Sequence, residues 1–218
     1  MTLMPRQRPD LVLRDFDQGI SQSQHLAAAA HVWILPTYGP SNPKFTTKHQ
    51  NMLIELAFLK CFLAWERFLE ESFILYLMGK KSPRRFAPKR FIEPPTREYA
   101  IQLVLPEGRQ YANWDDPETV QSRAQRFFIK GGPYKSVLSA NAYLFKELRV
   151  IRNAMVHHSS SSQGKFQGLV RQKIGALPLK MNVGTFLSTT QPNSNPPISF
   201  LDDYLNRMIC AAKQIVPI

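Results

Sequence analysis

Apolar residues recur along much of this chain at intervals of three and four, the period of a helix packed on one face. The strongest such run is NMLIELAFLKCFLAWERFLEESFILYLMG, which Thr46 or Thr47 can cap and Gly79 can stop. A helix of that length would extend about 45 Å. Most of its sides are apolar, so it is expected to sit centrally with neighbours around much of its circumference. Before it, residues 15 to 34 carry a helix signal that is best in the alanine run, and PTYGPSNP then breaks the pattern with prolines and a glycine.

Downstream the pattern is more broken. AIQLVLP, 100 to 106, fits a short strand or a fragment of helix. Asp115 or Asp116 can cap a helix with Pro117 near its first turn, running through ETVQSRAQRFFIK to GGP at 131 to 133. From Ser139 or Asn141 another helix covers AYLFKELRVIRNAMVHH, with Leu144, Leu148, Ile151 and Met155 as its buried stripe, and the serine run is expected to end it. Residues 163 to 174 fit a short helix, LPLKMNVGTFLST at 177 to 189 a small β-hairpin, and ISFLDDYLNRMICAAKQIV a closing amphipathic helix. The expected fold is all-α: a helical bundle in a single domain spanning residues 1 to 218, built on the long central helix. A connecting loop at about 80 to 95 and an irregular segment at about 159 to 198 interrupt it.

Charge changes the picture next. The formal net charge is +12 and the pI about 9.9, a balance that favours polyanionic partners, RNA among them, through phosphate neutralisation and counterion release. The segment KKSPRRFAPKRFIEPP concentrates Lys80, Lys81, Arg84, Arg85, Lys89 and Arg90 before the first acid, Glu93. These six are candidate RNA-backbone contacts, with a merely solvated basic loop as the alternative. No apolar run reaches the roughly 20 residues of a spanning helix, and the start MTLMPRQRPD lacks an apolar leader core. A cytoplasmic protein without membrane attachment is expected. Cys61 and Cys210 stand far apart in apolar helical contexts, without metal-ligand spacing, and read as two buried reduced thiols. No metal or cofactor is expected.

The chemistry concentrates in KELRVIRNAMVHHSSSS, residues 146 to 162. With Leu148 at zero on a helical wheel, Lys146, Arg149, Asn153 and His157 fall between about 100° and 180°, Arg152 at about 40°, and His158 turns back toward the apolar side. A histidine can take and return a proton near neutral pH, and a guanidinium can brace a phosphoryl group with planar donors. Asn153, one turn before His157, can orient the imidazole or donate to a substrate. Cations in the last turn of a helix also interact favourably with its negative end, which is the structural alternative.

The run R152-N153-A154-M155-V156-H157, following a long apolar helix that bears an acid in W-E-R-F, resembles the HEPN family of small helical ribonuclease domains. Its hallmark is Arg, four to six residues, then His, often with Asn directly after the Arg. The resemblance covers residues 46 to 158, and the GTFLST turn with a closing helix is similar to the stand-alone effectors of bacterial defence and toxin systems, the RiboL-PSP-HEPN type among them. It implies an antiparallel bundle forming a homodimer in which Arg and His of both subunits share one active-site cleft. It further implies metal-independent cleavage of RNA by the ribose 2′-OH, leaving a 2′,3′-cyclic phosphate and a 5′-OH.

Carried onto this chain, His157 is the acid or base, Arg152 stabilises the phosphorane charge, Asn153 positions either, and Glu66 matches the acid on the preceding helix. A structural partner for Arg67 or Arg152 is the other role open to Glu66. Lys146 and Arg149 join the basic loop as candidate RNA contacts. An antitoxin or regulatory protein is an expected partner. Members silenced by a nucleotidyltransferase carry a tyrosine two residues after the His; here Ser159 stands there, which puts that route in doubt. A HEPN-like scaffold that holds RNA, a nucleotide or a protein without cutting is the rival reading.

Overall fold

The computed structural model describes residues 8–32, 45–108, 110–157 and 159–218. The PTYGPSNP break and His158 lie outside the described residues. Among those described there are nine α-helices and no strand, so the chain is all-α, a helical bundle. No described helix is long and apolar enough to cross a membrane.

The helices are α1 (Pro9–Val32), α2 (Thr47–Leu77), α3 (Arg97–Val104), α4 (Pro117–Phe127), α5 (Gly132–Ala140), α6 (Ala142–Val156), α7 (Ser160–Ile174), α8 (Val183–Ser188) and α9 (Phe200–Ile215). Their starts follow local chemistry. Asp116 accepts from Thr119 N ahead of Pro117, Thr96 accepts from Tyr99 N, and Ser199 accepts from Asp202 N while its hydroxyl donates to that aspartate. α3 resolves the two readings of AIQLVLP in favour of helix.

The chain divides into two compact units. One combines the chain up to Gln18 with Ala64–Lys146 and Met208–Ile218; the other combines Gly19–Leu63 with Glu147–Arg207.

The first unit is built on aromatic rings. Trp65 stacks on Phe145 with centroids 4.8 Å apart, and Phe16 tilts against Trp65 and Phe68. Further along α2, Phe73 meets Trp114, Phe127, Phe128 and Tyr134 at 4.9 to 6.1 Å. Two buried tyrosine hydroxyls of this core are matched: Tyr134 donates to Ser72, and Tyr76 to the Ile215 carbonyl, each at 3.0 Å. Burial pushes both phenols well above their usual range.

In the second unit Ile54, Phe58 and Phe62 of α2 and Leu148 and Ile151 of α6 are buried, and Phe186 stacks on Phe200 at 4.5 Å. The long helix is buried on every side only from Ser72 to Leu77; nearer its start Met52, Leu56 and Leu63 are exposed. Neighbours around most of its circumference, as the composition suggested, are therefore found at one end only.

The segment at about 159 to 198, expected to be irregular, holds α7 and α8, and three further expectations are corrected. The segment 177–189 holds no β-hairpin: Asn182 caps a six-residue helix by accepting from Thr185 N at 2.8 Å. Val183, Phe186 and Leu187, one helical turn, are buried. The serine run does not only end a helix. α6 has already stopped at Val156, and Ser159 caps α7 by accepting from Ser162 N at 3.2 Å. Of the two thiols, Cys61 is buried and Cys210 is exposed. The α9 core face is Met208, Ala211, Ala212 and Ile215, and two residues beyond Met208 a helix has turned by about 200°.

Candidate active site

α6 carries the candidate residues because its sequence separates an apolar arc from a polar one. Leu144, Leu148, Ile151 and Ala154 are buried, Met155 is partly so, and Lys146 and His157 are exposed, with Arg149, Arg152 and Asn153 between. Four of these residues, Arg149, Arg152, Asn153 and His157, belong to the second unit; Lys146 and Glu66 belong to the first.

Arg152 and Asn153 are joined directly: Arg152 Nη1 donates to Asn153 Oδ1 at 3.0 Å. One guanidinium edge is thereby fixed, and the side-chain amide of Asn153 is turned so that its NH2 remains a donor. His157 is the first residue past the helical span, but its N–H still donates to the Asn153 carbonyl at 2.9 Å, so the α6 turn continues up to it. Its imidazole is exposed. A planar cation, an amide donor and an imidazole thus follow one another over a little more than one helical turn at the end of one helix.

What holds that end in place was not read from the sequence. Gln163 of α7 donates through Nε2 to the Ala154 carbonyl at 2.9 Å, satisfying one of the last α6 carbonyls. Ser159, between the two helices, donates its hydroxyl to Ser162 Oγ at 3.0 Å as well as capping α7. At the other side of α6, half-buried Glu147 takes the Tyr204 hydroxyl on Oε2 at 3.0 Å and the Lys173 ammonium on Oε1 at 2.7 Å. Burial, together with the neighbouring Glu147 charge, drives the Tyr204 phenol far above its usual range. One carboxylate so ties α6 to both α9 and α7. The only signal in the sequence was an acid at the border of the apolar arc.

Glu66 is half-buried on α2, Arg67 beside it is exposed, and Glu71 is paired with Arg97 at 2.7 Å. Glu70 has its carboxyl raised, chiefly by burial and next by the Glu71 charge. Arg123 of α4 lies 4.3 Å above the Trp114 ring and donates to the Asn113 carbonyl.

The basic loop belongs to the first unit. Lys81, Arg84, Arg85 and Lys89 are exposed, Lys80 and Arg90 half-buried, and Arg90 pairs with Glu93 at 3.0 Å. Among the described residues no three His, Cys, Asp or Glu side chains gather as a metal site. A small cleft of about 120 Å³ in the second unit, bordered by His31, Ile54, Leu187, Ser199 and Asp202, contains none of the predicted residues.

No family model, no curated protein and no solved structure matches this chain.

Proposed function

We propose that the protein is a metal-independent endoribonuclease of the HEPN type. The observation that carries this reading is the end of α6, where Arg152 is held by Asn153 and an exposed His157 follows within the same continuous turn.

In the proposed reaction the ribose 2′-oxygen attacks the adjacent phosphorus as its proton passes to a base. The bond from phosphorus to the 5′-oxygen breaks, and an acid protonates that oxygen, leaving a 2′,3′-cyclic phosphate and a 5′-OH. His157 acts in one of these proton transfers, and Arg152 stabilises charge on the phosphorane. A single exposed histidine offers one such group; a homodimer related by a twofold axis would offer two around a shared cleft. An enzyme of this kind would be held in check by an antitoxin or regulatory protein, and the position where some relatives of the HEPN type are modified is here the α7 cap Ser159.

Incubation of purified protein with labelled single-stranded RNA in EDTA tests the proposal. Wild type is expected to produce cyclic-phosphate ends, and His157→Ala and Arg152→Ala to lose about 10²-fold or more of the rate. Cleavage that persists in both variants sinks the assignment. Binding without cleavage by any version would instead make the protein a scaffold. Sedimentation at micromolar concentration checks the dimer, and a stable monomer would count against a shared cleft.

A further inference from the structure

The loop after α2 is basic, but it is not a loose solvated tail. Its prolines at 83, 88, 94 and 95 keep it from continuing as helix. A tight turn then projects its tip: Arg85 N donates to the Ser82 carbonyl and Ser82 N to the Phe86 carbonyl, both at 2.8 Å, with Arg85 in the left-handed region at φ 58°. Phe86 sets its ring edge-on to Tyr76 at 5.9 Å, which anchors the turn.

The second half of the loop is pinned as well. Phe91 N donates to the Phe127 carbonyl and Ile129 N to the Lys89 carbonyl, each at 2.9 Å, on either side of an antiparallel bridge between Arg90 and Phe128. The Arg90 guanidinium lies against Gly79, where any side chain would collide with it, and is paired with Glu93.

That accounts for one of six cations. Lys80, Lys81, Arg84, Arg85 and Lys89 have no carboxylate partner among the described residues. Amid them, Phe91 is 60% exposed and Ile92 41%, and the bridge brings up Ile129 at 43% with Lys130 beside it. A fixed loop has no stability to gain from holding a phenyl ring in water. Cations for phosphates and an open aromatic face for bases are together what a single-stranded nucleic acid needs.

We propose that residues 80–92 form a docking platform for single-stranded RNA, in which Phe91 stacks on a base and Lys80, Lys81, Arg84, Arg85 and Lys89 neutralise phosphates. The choice of RNA rests on the ribonuclease reading above; the preference for a single strand rests on the ring. In a duplex the base faces are covered, so Phe91 would have no partner there. A membrane surface would want a broad apolar face, whereas here Phe86 packs on Tyr76 and the Phe91 backbone is tied to Phe127. Because the loop is already ordered, binding loses little conformational freedom on this side.

The test uses a fluorescein-labelled 2′-O-methyl oligouridylate, which cannot be cut through a 2′-OH, so binding is read separately from catalysis. By fluorescence anisotropy, Phe91→Ala is expected to weaken binding about fivefold or more, the equivalent of one base stack. Phe91→Trp should retain it, and the salt dependence should be unchanged in both. Arg84→Glu with Arg85→Glu should weaken binding and flatten its salt dependence. The proposal is overturned if Phe91→Ala binds like wild type, or if a duplex binds as tightly as the single strand. Binding to phosphatidylserine vesicles that depends on Phe91, without oligonucleotide binding, would also overturn it. Loss of cleavage in every version, with Phe91-dependent binding intact, would remove the ribonuclease reading and leave the platform standing.

Discussion

Asn153 holds the guanidinium of its neighbour Arg152 through a 3.0 Å hydrogen bond, and through its backbone carbonyl it holds the N–H of His157 at 2.9 Å. One residue therefore touches both members of the proposed catalytic pair, but only its side chain is open to substitution without disturbing the turn. Asn153→Ala should leave the fold intact and remove this hydrogen bond from Arg152. The expected result is a fall in kcat of up to about 10²-fold with little change in KM, since a group misplaced by about 1 Å forfeits that much. Equal losses in kcat and in RNA binding would assign Asn153 to substrate contact instead.

Gly184 sits where the first turn of α8 meets α2. A Cβ there would lie 2.6 Å from the Asn51 backbone, while Gly184 N donates to Glu55 and Thr185 Oγ1 accepts from Asn51. Gly184→Ala must push two backbones apart and is expected to destabilise by about 1–3 kcal/mol. Urea denaturation reads this as a lowered midpoint at unchanged slope.

How much of this was legible beforehand follows from length and periodicity. α2, α4, α6 and α9 run long enough for the spacing of apolar residues to declare them, and Asp116 with Pro117 marked a start. α8 has room for a single turn, so Val183, Phe186 and Leu187 gave no recurring period, and its cap Asn182 looked like any loop polar residue. Four serines in a row read as a breaker because composition suggests a loop; Ser159 caps the next helix instead. Cys210 is exposed because the α9 period points it away from Met208, a position its apolar neighbours in sequence disguise. The order Arg152, Asn153, His157 could be read directly, whereas the bond from Arg152 to Asn153 depends on side-chain rotamers and Glu147 on two distant helices.

Glu147 serves two partners at once, so its loss should exceed that of an exposed ion pair. Glu147→Ala strands the buried Tyr204 hydroxyl and removes the Lys173 contact, for an expected loss of about 1–3 kcal/mol. Tyr204→Phe in the Glu147→Ala background should restore part of it, and a thermal melt of the double variant measures how much.

Glu70 supplies the pH dependence. Its carboxyl is raised from 4.5 mainly by burial, with Glu71 adding to the rise and Arg97 and Arg123 opposing it. An acid with a raised folded-state pKa favours the native state in its protonated form. That contribution is present below the unfolded value and is lost as pH climbs through the folded one. Glu70→Gln should therefore be at least as stable as wild type at neutral pH, with the difference vanishing below about pH 4. A Glu70→Gln variant that is less stable at pH 7 would show the Trp114 hydrogen bond and the Arg97 and Arg123 charges together to outweigh burial.

The two cysteines should separate in a thiol titration. Burial lifts the Cys61 thiol to about 11, whereas Cys210 lies exposed on α9. One equivalent of thiol is expected to react promptly in the native protein and the second only after denaturation.

Neither compact unit is a continuous stretch of chain. The first needs residues from before Gln18, from Ala64–Lys146 and from Met208–Ile218, and the second is closed only by Glu147–Arg207. On a ribosome, where segments emerge in order, the turn bearing Arg152 and His157 appears well before either unit has its last strip of core. A ribonuclease of the proposed kind, assembled in this order, would stay incomplete through most of its own translation, close to the message that encodes it.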